Sequence, residues 1–166
     1  AVAPGGSVLD VGGGAGQLAA LLAAELDAHV TVLDPTARML QHVPTGDRIT
    51  ALAGAAEDIP LEESVVDAIV VTDAFHHFRD QGTAVREFAR VTRPGGRVLV
   101  MDLDPRPLGM RLVALAERLA GEPGAFMTPE QMCAFMASHG IPGECVAERG
   151  ASYRFVGTVE KPWPAA

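Results

Sequence analysis

The sequence predicts an α/β protein built on a doubly wound, mostly parallel sheet that ends in an antiparallel hairpin. Short apolar runs of strand length alternate with Ala/Leu-rich stretches of helical spacing as far as Asp102. A glycine-rich loop joins the first strand to the first helix, the place where such sheets bind their ligands. Two further β-rich runs lie close together near the C-terminus, which indicates a hairpin.

The elements before Asp102 follow from apolar spacing and from helix-breaking residues. Gln17–Leu26 carries a wide apolar face, and a proline at 44 ends the short helix Thr36–Val43 because proline cannot continue a helix. Val65–Thr72 is the most apolar run, which predicts a central strand covered on both faces. A Pro-Gly-Gly run closes the helix Thr83–Val91. The other strands are Ser7–Val11, His29–Asp34, Ile49–Ala53 and Arg97–Asp102.

The elements after Asp102 are less regular. Thr128 is a suitable N-cap for a helix whose first residue is Pro129. The threonine side chain accepts a hydrogen bond from a backbone N–H of the first turn, and proline lacks the N–H that would have no acceptor at the first helical position. The remaining predictions are a helix over Leu108–Ala120, a loop at 121–124, an end of the Pro129 helix at Ser138 or His139, and strands Glu144–Glu148 and Tyr153–Val159.

Composition limits the class of protein. The chain has 166 residues and a formal net charge of −8, so we expect a single domain over 1–166 and no nucleic-acid partner, because phosphate binding needs the opposite charge. Neither cysteine lies in a CxxC pair, which favours a reducing, cytoplasmic setting. No apolar stretch reaches the roughly 20 residues of a membrane span, and the N-terminus lacks the regions of a signal peptide.

The glycine loop is the strongest motif. Gly12, Gly14 and Gly16 form a GxGxG pattern, whereas the dinucleotide fingerprint GxGxxG would place its third glycine at Gln17. Glycines let the backbone approach a ligand closely at the N-terminus of a helix. The alternative is a tight strand-to-helix turn that binds nothing.

Asp34 lies at the end of the second strand, about 20 residues beyond the loop, where an acid accepts hydrogen bonds from both hydroxyls of a ribose. The alternative roles are an N-cap of the following short helix or a solvated acid at the strand end. Together with the glycine loop, Asp34 favours an adenosine-type ligand.

Five ordered segments resemble the motifs of the class I S-adenosylmethionine-dependent methyltransferases, and most closely the small-molecule branch that includes ubiquinone/menaquinone-biosynthesis-type enzymes. Together they span about Ser7 to Asp102. The segments are VLDVGGGAG at 8–16, TVLDPTARML at 31–40, GAAEDIPL at 54–61 followed by VDAIVV at 66–71, FHHF at 75–78, and RVTRPGGRVL at 90–99.

The resemblance implies a Rossmann-like, seven-stranded sheet, S-adenosylmethionine as cofactor and S-adenosylhomocysteine as product. The implied cofactor-binding residues are Asp10 at the amino end of the methionine moiety, the backbone of Gly12, Gly14 and Gly16, Asp34 at the ribose, Pro35 and Met39 beside the adenine, Ala56 and Glu57 at the adenine edge, and Thr72 at the methionine end.

Two departures from the family pattern are visible. Ala55 stands where the family often has an acid that takes the adenine amino group. Family members also usually carry helices before the first motif that close over the site, and this chain begins a few residues before the first strand, so we expect the lid helices to be missing.

Methyl transfer from a sulfonium requires mainly proximity and alignment, with a general base only where the acceptor carries a proton. The candidates for that base are His76, His77 and Asp73, and the alternative for the histidines is packing or capping. We expect no metal, because Asp73, His76, His77 and Asp102 lack a recognised ligand spacing.

Three functions remain open from the sequence. The first is methyl transfer to a small-molecule acceptor by in-line displacement, without nucleic acid or membrane and with a homodimer left open. The second is a nicotinamide-dependent oxidoreductase, which the glycine loop and Asp34 allow. The third is a catalytically inactive methyltransferase-like binding domain, which Ala55 and the short front favour.

Overall fold

A single sheet of seven strands organises residues 2–44, 46–120 and 124–160, which are those that the computed structural model describes. The strands are β1 Ser7–Val11, β2 His29–Asp34, β3 Ile49–Ala53, β4 Val66–Thr72, β5 Thr92–Leu103, β6 Gly143–Ala147 and β7 Ser152–Thr158. The helices are α1 Gln17–Leu26, α2 Ala37–Leu40, α3 Gln81–Val91, α4 Leu108–Ala120 and α5 Pro129–Ser138, with a single 3-10 turn at Phe75–His77.

The strand order is β3-β2-β1-β4-β5-β7-β6. The first five strands in this order run parallel, and β7 pairs antiparallel with both β5 and β6. Because β2 and β4 lie on opposite sides of β1, the direction of winding reverses there, and a crevice opens at the carboxyl ends of β1 and β4. The predicted fold class is confirmed, including the antiparallel hairpin.

Both faces of the sheet are covered, as the apolar run of β4 predicts. Val8 of β1 belongs to the apolar cluster that α1 covers, whereas Leu9 belongs to the larger cluster that contains residues of α3 and α5. Successive side chains of a strand point to opposite faces, so Asp10 shares the α1 face with Val8. This places a carboxyl group inside the core directly below the glycine loop.

Several boundaries differ from the predictions for local reasons. α2 is shorter than Thr36–Val43, because beyond Leu40 the chain tightens into i+3 bonds such as His42 N to Met39 O at 3.0 Å. α3 begins at Gln81, two residues early, because the Asp80 side chain caps it by accepting from Thr83 N at 3.0 Å. β5 begins at Thr92 rather than Arg97, because Thr92 already pairs with β4. The Pro-Gly-Gly run lies inside the strand, where the register of this pairing shifts.

The part after β5 contains the predicted helices and hairpin. Thr128 and Gln131 form a reciprocal capping box at the start of α5, and the hairpin strands lie within one residue of their predicted bounds. α4 exposes four leucines (Leu108, Leu112, Leu115 and Leu119) while its Met110 is buried. Residues 121–123 of the predicted loop at 121–124 lie outside the described residues. Within the described chain, every helix is too short or too polar to cross a bilayer.

Candidate functional site

The glycine loop sits at the carboxyl end of β1 and turns the chain into α1. Gly12, Gly14 and Gly16 all have positive φ values, 71°, 55° and 73°, which explains the alternate spacing of the motif. At Gly12 a side chain would also collide, because a Cβ there would lie 2.6 Å from Cβ of Ala74. The loop backbone is therefore packed directly against the chain that follows β4.

A cavity of about 450 Å³ opens beside this loop at the carboxyl edge of the sheet. This volume lies within the usual range for small-molecule sites. The lining residues are Val11, Gly12, Leu33, Asp34, Pro35, Thr36, Gly54, Ala55, Ala56, Glu57, Asp73, Ala74, His77, Phe78 and Arg79. Among the sequence candidates, the structure brings together Gly12, Asp34, Pro35, Ala56, Glu57, Asp73 and His77.

Asp34 ties the glycine loop to the segment that leads into α2. Its Oδ2 accepts from Gly14 N at 3.0 Å and its Oδ1 from Thr36 N at 2.8 Å. The residue is 8% exposed, so the carboxylate is held rigidly at the cavity edge. A carboxylate offers about four lone pairs, and two therefore remain for hydroxyl donors. The capping alternative was wrong, because the N-cap of α2 is Thr36 and no side chain caps the helix; the bond from Thr36 N to Asp34 only closes the turn before it.

Asp10 lies under the loop rather than in the cavity. Its side chain is fully buried, and neither carboxylate oxygen accepts a hydrogen bond from a described residue. A Cβ on Gly13 would lie 2.5 Å from Asp10 Oδ2, so this glycine is needed to admit the carboxyl group. Burial, and then the nearby Asp34 carboxylate, raise the pKa of Asp10 to about 6.

Glu57 closes the wall opposite the loop. Its Oε1 accepts from Arg79 N at 2.7 Å and from Asp80 N at 3.3 Å, which ties the segment after β3 to the segment after β4. Ala55 lines the cavity as well, while Asp58 is exposed and is not among the lining residues. The position that is often acidic in the family therefore presents a methyl group to the cavity.

Four predicted cofactor residues lie just outside the lining set. Gly14 faces Met39, whose Cε would be 3.2 Å from a Cβ at Gly14. Gly16 forms the N-terminal end of α1 and packs against Val43 and Pro44. Thr72 is half-buried at the end of β4, where it pairs with Met101.

The two histidines occupy different environments, contrary to the expectation that both lie at the mouth of the site. His77 is exposed and lines the cavity. His76 is 3% exposed, and its Nδ1 lies 2.7 Å from Oδ1 of the equally buried Asp102. Its ring lies between Phe126, with centroids 4.2 Å apart, and His77, with centroids 4.0 Å apart. His76 therefore supports the ring of His77 from behind.

Asp73 reaches the cavity with a left-handed φ of 52°, a strained conformation for a residue other than glycine. One potential ligand atom from each of Asp73, His76 and Asp102 lies within 4.8 Å of the others. These three residues belong to the set of four that the sequence offered as possible ligands, although their spacing matches no recognised metal motif. The absence of a metal stays a prediction.

The sequence interpretation missed two parts of the site. Phe78 and Arg79 line the cavity; Phe78 ends the fourth motif and Arg79 directly follows it, and this position was the available signal. Asp102 was grouped with His76 from the sequence, but their direct contact was missed, because it arises through the pairing of β4 with β5.

Comparison with known proteins identifies the family. The methyltransferase domain family matches residues 9–100 of the chain, a range that contains every residue lining the cavity. The chain belongs to this methyltransferase domain family. The predicted family and its cofactor, S-adenosylmethionine, are thereby confirmed.

Curated relatives with similar sequences are also named as methyltransferases. An uncharacterized methyltransferase of Mycobacterium tuberculosis (strain ATCC 25618 / H37Rv) is 42% identical over 92 residues, which are 55% of this chain and 37% of the relative. The ubiquinone/menaquinone biosynthesis C-methyltransferase UbiE of Rubrivivax gelatinosus is 35% identical over 100 residues, 59% of this chain and 39% of the relative. The methyltransferase domain thus spans less than half of the length of these relatives.

Solved structures match the fold over a longer range. A methyltransferase in complex with the Trm112 methyltransferase activator of Haloferax volcanii superposes with a TM-score of 0.86 at 17% identity, covering 95% of this chain and 84% of that one. The geranyl diphosphate C-methyltransferase of Streptomyces coelicolor A3(2), solved with Mg²⁺, geranyl diphosphate and S-adenosyl-L-homocysteine, gives 0.79 at 12% identity, covering 95% and 72%. These similarities confirm the seven-stranded methyltransferase fold.

Proposed function

We propose that this domain binds S-adenosylmethionine in the cavity between the glycine loop and Glu57 and transfers its methyl group to a small-molecule acceptor. The observation that carries the proposal is the position of Asp34. Its carboxylate is buried, fixed by two backbone N–H groups, and presented to the cavity beside Gly12. This is the arrangement expected for two neighbouring ribose hydroxyls.

Charge separates this proposal from a nicotinamide-dependent reaction. The cavity is lined by the carboxylates of Asp34, Glu57 and Asp73 and by one guanidinium, that of Arg79. An acid-rich lining attracts a cationic ligand and repels an anionic one. S-adenosylmethionine carries a net positive charge, whereas the pyrophosphate of a dinucleotide is negative. The cavity therefore favours the sulfonium cofactor.

The chain contributes binding, orientation and proton handling. The bound cofactor would supply a methyl group carried on a positively charged sulfur, and loss of this methyl group turns the sulfonium into a neutral thioether. Gly12 and Asp34 hold the ligand at one wall and Glu57 fixes the other, so alignment comes from rigid backbone contacts. Where the methyl acceptor must lose a proton, we assign the role of general base to His77 or Asp73, which both line the cavity. His76 acts as a positioning residue behind His77.

The acceptor class rests on the relatives. The relative from Rubrivivax gelatinosus is named a C-methyltransferase of ubiquinone/menaquinone biosynthesis. That name supports a small-molecule acceptor for this domain, with carbon as the favoured methylated atom.

The test is a calorimetric titration of the domain with S-adenosylhomocysteine, alongside Asp34→Ala and the matched control Asp67→Ala. Asp67 also accepts a hydrogen bond from a backbone N–H, that of Ser7 at 2.8 Å. It lies near the start of β4, at the edge of the sheet away from the cavity. We expect Asp34→Ala to weaken binding more than tenfold, which is about 1.4 kcal/mol, and Asp67→Ala to leave affinity unchanged.

Three results would overturn the proposal. The first is equal affinity of the two variants, which would place the ligand away from Asp34. The second is tighter binding of NADH than of S-adenosylhomocysteine, which would favour the oxidoreductase. The third is binding of S-adenosylhomocysteine with no consumption of S-adenosylmethionine across a broad acceptor panel, which would support the inactive binding domain.

A further inference from the structure

The two cysteines of the chain meet across the interface between α5 and β6. Cys133 on α5 and Cys145 on β6 are twelve residues apart in sequence, and their Sγ atoms lie 2.8 Å from each other. Both are free thiols, both are half-buried, and both pack against the main apolar cluster. The sequence alone gave no sign of this pairing, because neither cysteine belongs to a CxxC motif.

The surroundings of the pair direct the two thiols toward each other. Cys145 Sγ also donates to the carbonyl oxygen of Pro129 at 3.1 Å. Pro129 and Cys133 are four residues apart on α5 and so share one face of the helix, which is the face that meets β6. Oxidation therefore requires no rearrangement of the elements that carry the two sulfurs.

We propose that Cys133 and Cys145 form a site of reversible oxidation, in which a peroxide converts the two thiols into a disulfide that joins α5 to β6. The proposal is independent of the methyltransferase reaction. It adds a covalent modification site to the region that follows the family-matched residues.

The chemistry balances with hydrogen peroxide as the oxidant. The thiolate of Cys133 attacks one peroxide oxygen and becomes a sulfenic acid, while hydroxide leaves and takes up the proton that the thiol lost. The Cys145 thiol then attacks the sulfenic sulfur, the S–S bond forms, and the S–H proton leaves with the hydroxyl group as water. Overall, two thiols and one hydrogen peroxide give one disulfide and two waters.

The order of the two steps follows from the environment of the thiols. Burial, reinforced by the hydrogen bond with Cys133, raises the pKa of the Cys145 thiol. A thiol that stays protonated is a poor first nucleophile, so Cys145 acts second, on a sulfenic acid that is already beside it. Cys133 is accordingly the residue that reacts with the peroxide.

The crosslink would act on the segment that leads into α5. Ala125 N donates to His76 O at 2.8 Å, the Phe126 ring stacks on His76, and Tyr153 donates to Met127 O at 3.1 Å. Fixing α5 to the sheet therefore also fixes the chain that covers the buried His76–Asp102 pair. Oxidation removes the S–H donor to Pro129 and replaces that hydrogen bond with a covalent tether.

The test treats the reduced, folded chain with hydrogen peroxide, blocks the remaining thiols by alkylation and measures intact mass and peptide connectivity. We expect loss of both thiols, a mass lower by two hydrogens, a Cys133–Cys145 peptide, and full reversal by dithiothreitol. The thermal midpoint should rise on oxidation, because a crosslink limits the unfolded chain. Cys133→Ser and Cys145→Ser should each show no crosslink and no rise.

Three results would overturn the proposal. One is retention of both thiols in the folded chain under conditions where the urea-unfolded chain forms the disulfide. Another is separate over-oxidation of the two cysteines without a linked peptide. The third is a disulfide only between two chains, shown by a dimer on a non-reducing gel that Cys133→Ser abolishes.

Discussion

The family-matched region (residues 9–100) and the C-terminal region (residues 101–160) differ in what determines their structure. In the first, backbone groups and carboxylates meet at positions where one residue type fits, as at Gly12 against Ala74 and Gly13 against Asp10. In the second, buried apolar side chains such as Met132, Met136 and Phe155 fill the core. Cores accept many apolar combinations of equal volume. This explains why the family match ends at residue 100 while the shape matches over 95% of the chain.

Replacing a glycine of the loop should produce the largest effect. We expect Gly12→Ala to destabilise the fold by about 2–5 kcal/mol, through a strained positive φ and overpacking against Ala74, and to weaken S-adenosylhomocysteine binding more than tenfold. Urea unfolding and calorimetry measure the two effects.

Gly95→Ala is the matched control. Gly95 has a φ of 80°, but a Cβ there would meet nothing within 4 Å, so only the backbone cost of about 1–2 kcal/mol remains. Binding should be unchanged. If Gly95→Ala weakened binding as much as Gly12→Ala, the contact with Ala74 would not be the reason for the glycine.

The pH dependence of stability should report the buried Asp10. Its pKa is raised from 3.8 to about 6, so between these values the folded chain retains a proton that the unfolded chain releases. The contribution to stability is therefore fully present below about pH 4 and is lost as the pH rises through 6. At 1.36 kcal/mol per pH unit, the loss amounts to about 3 kcal/mol.

Asp10→Asn removes the titrating group and serves as the comparison. The free energy of unfolding of the wild-type chain should fall relative to this variant between pH 4 and pH 7, as measured by urea titrations at each pH. A constant difference between the two proteins over that range would show that the Asp10 carboxyl group ionises normally in the fold.

The smallest effect is expected in the C-terminal region. Tyr153 is 1% exposed and its hydroxyl donates to Met127 O. Tyr153→Phe leaves that carbonyl without this partner and should cost about 1–2 kcal/mol in urea unfolding, with S-adenosylhomocysteine affinity unchanged within twofold. A tenfold loss of affinity would show that the two regions are coupled through the segment before α5.

Sequence reasoning succeeded where one residue type has one structural purpose. The strand-end position of Asp34 and the alternate glycines were predictable, because each directly follows or ends a strand that apolar spacing identifies, where such sheets bind ligands. The hydrogen bond that Arg79 N donates to Glu57 and the direct contact of His76 with Asp102 were not, because each joins segments more than 20 residues apart. The thiol contact between Cys133 and Cys145 was missed for a related reason. It depends on how α5 lies on β6, which apolar spacing does not specify.

The place of β7 within the sheet has a consequence for biosynthesis. Strands β1 to β5 have all of their mutual partners within residues 7–103, but β7 fills the position between β5 and β6 and is the last described strand to be translated. Until residue 158 has left the ribosome, β5 keeps an unpaired edge and β6 has no partner. An unpaired edge is a site for association with other chains. The described sheet is therefore completed from the inside, by the strand that is translated after all the other strands in it.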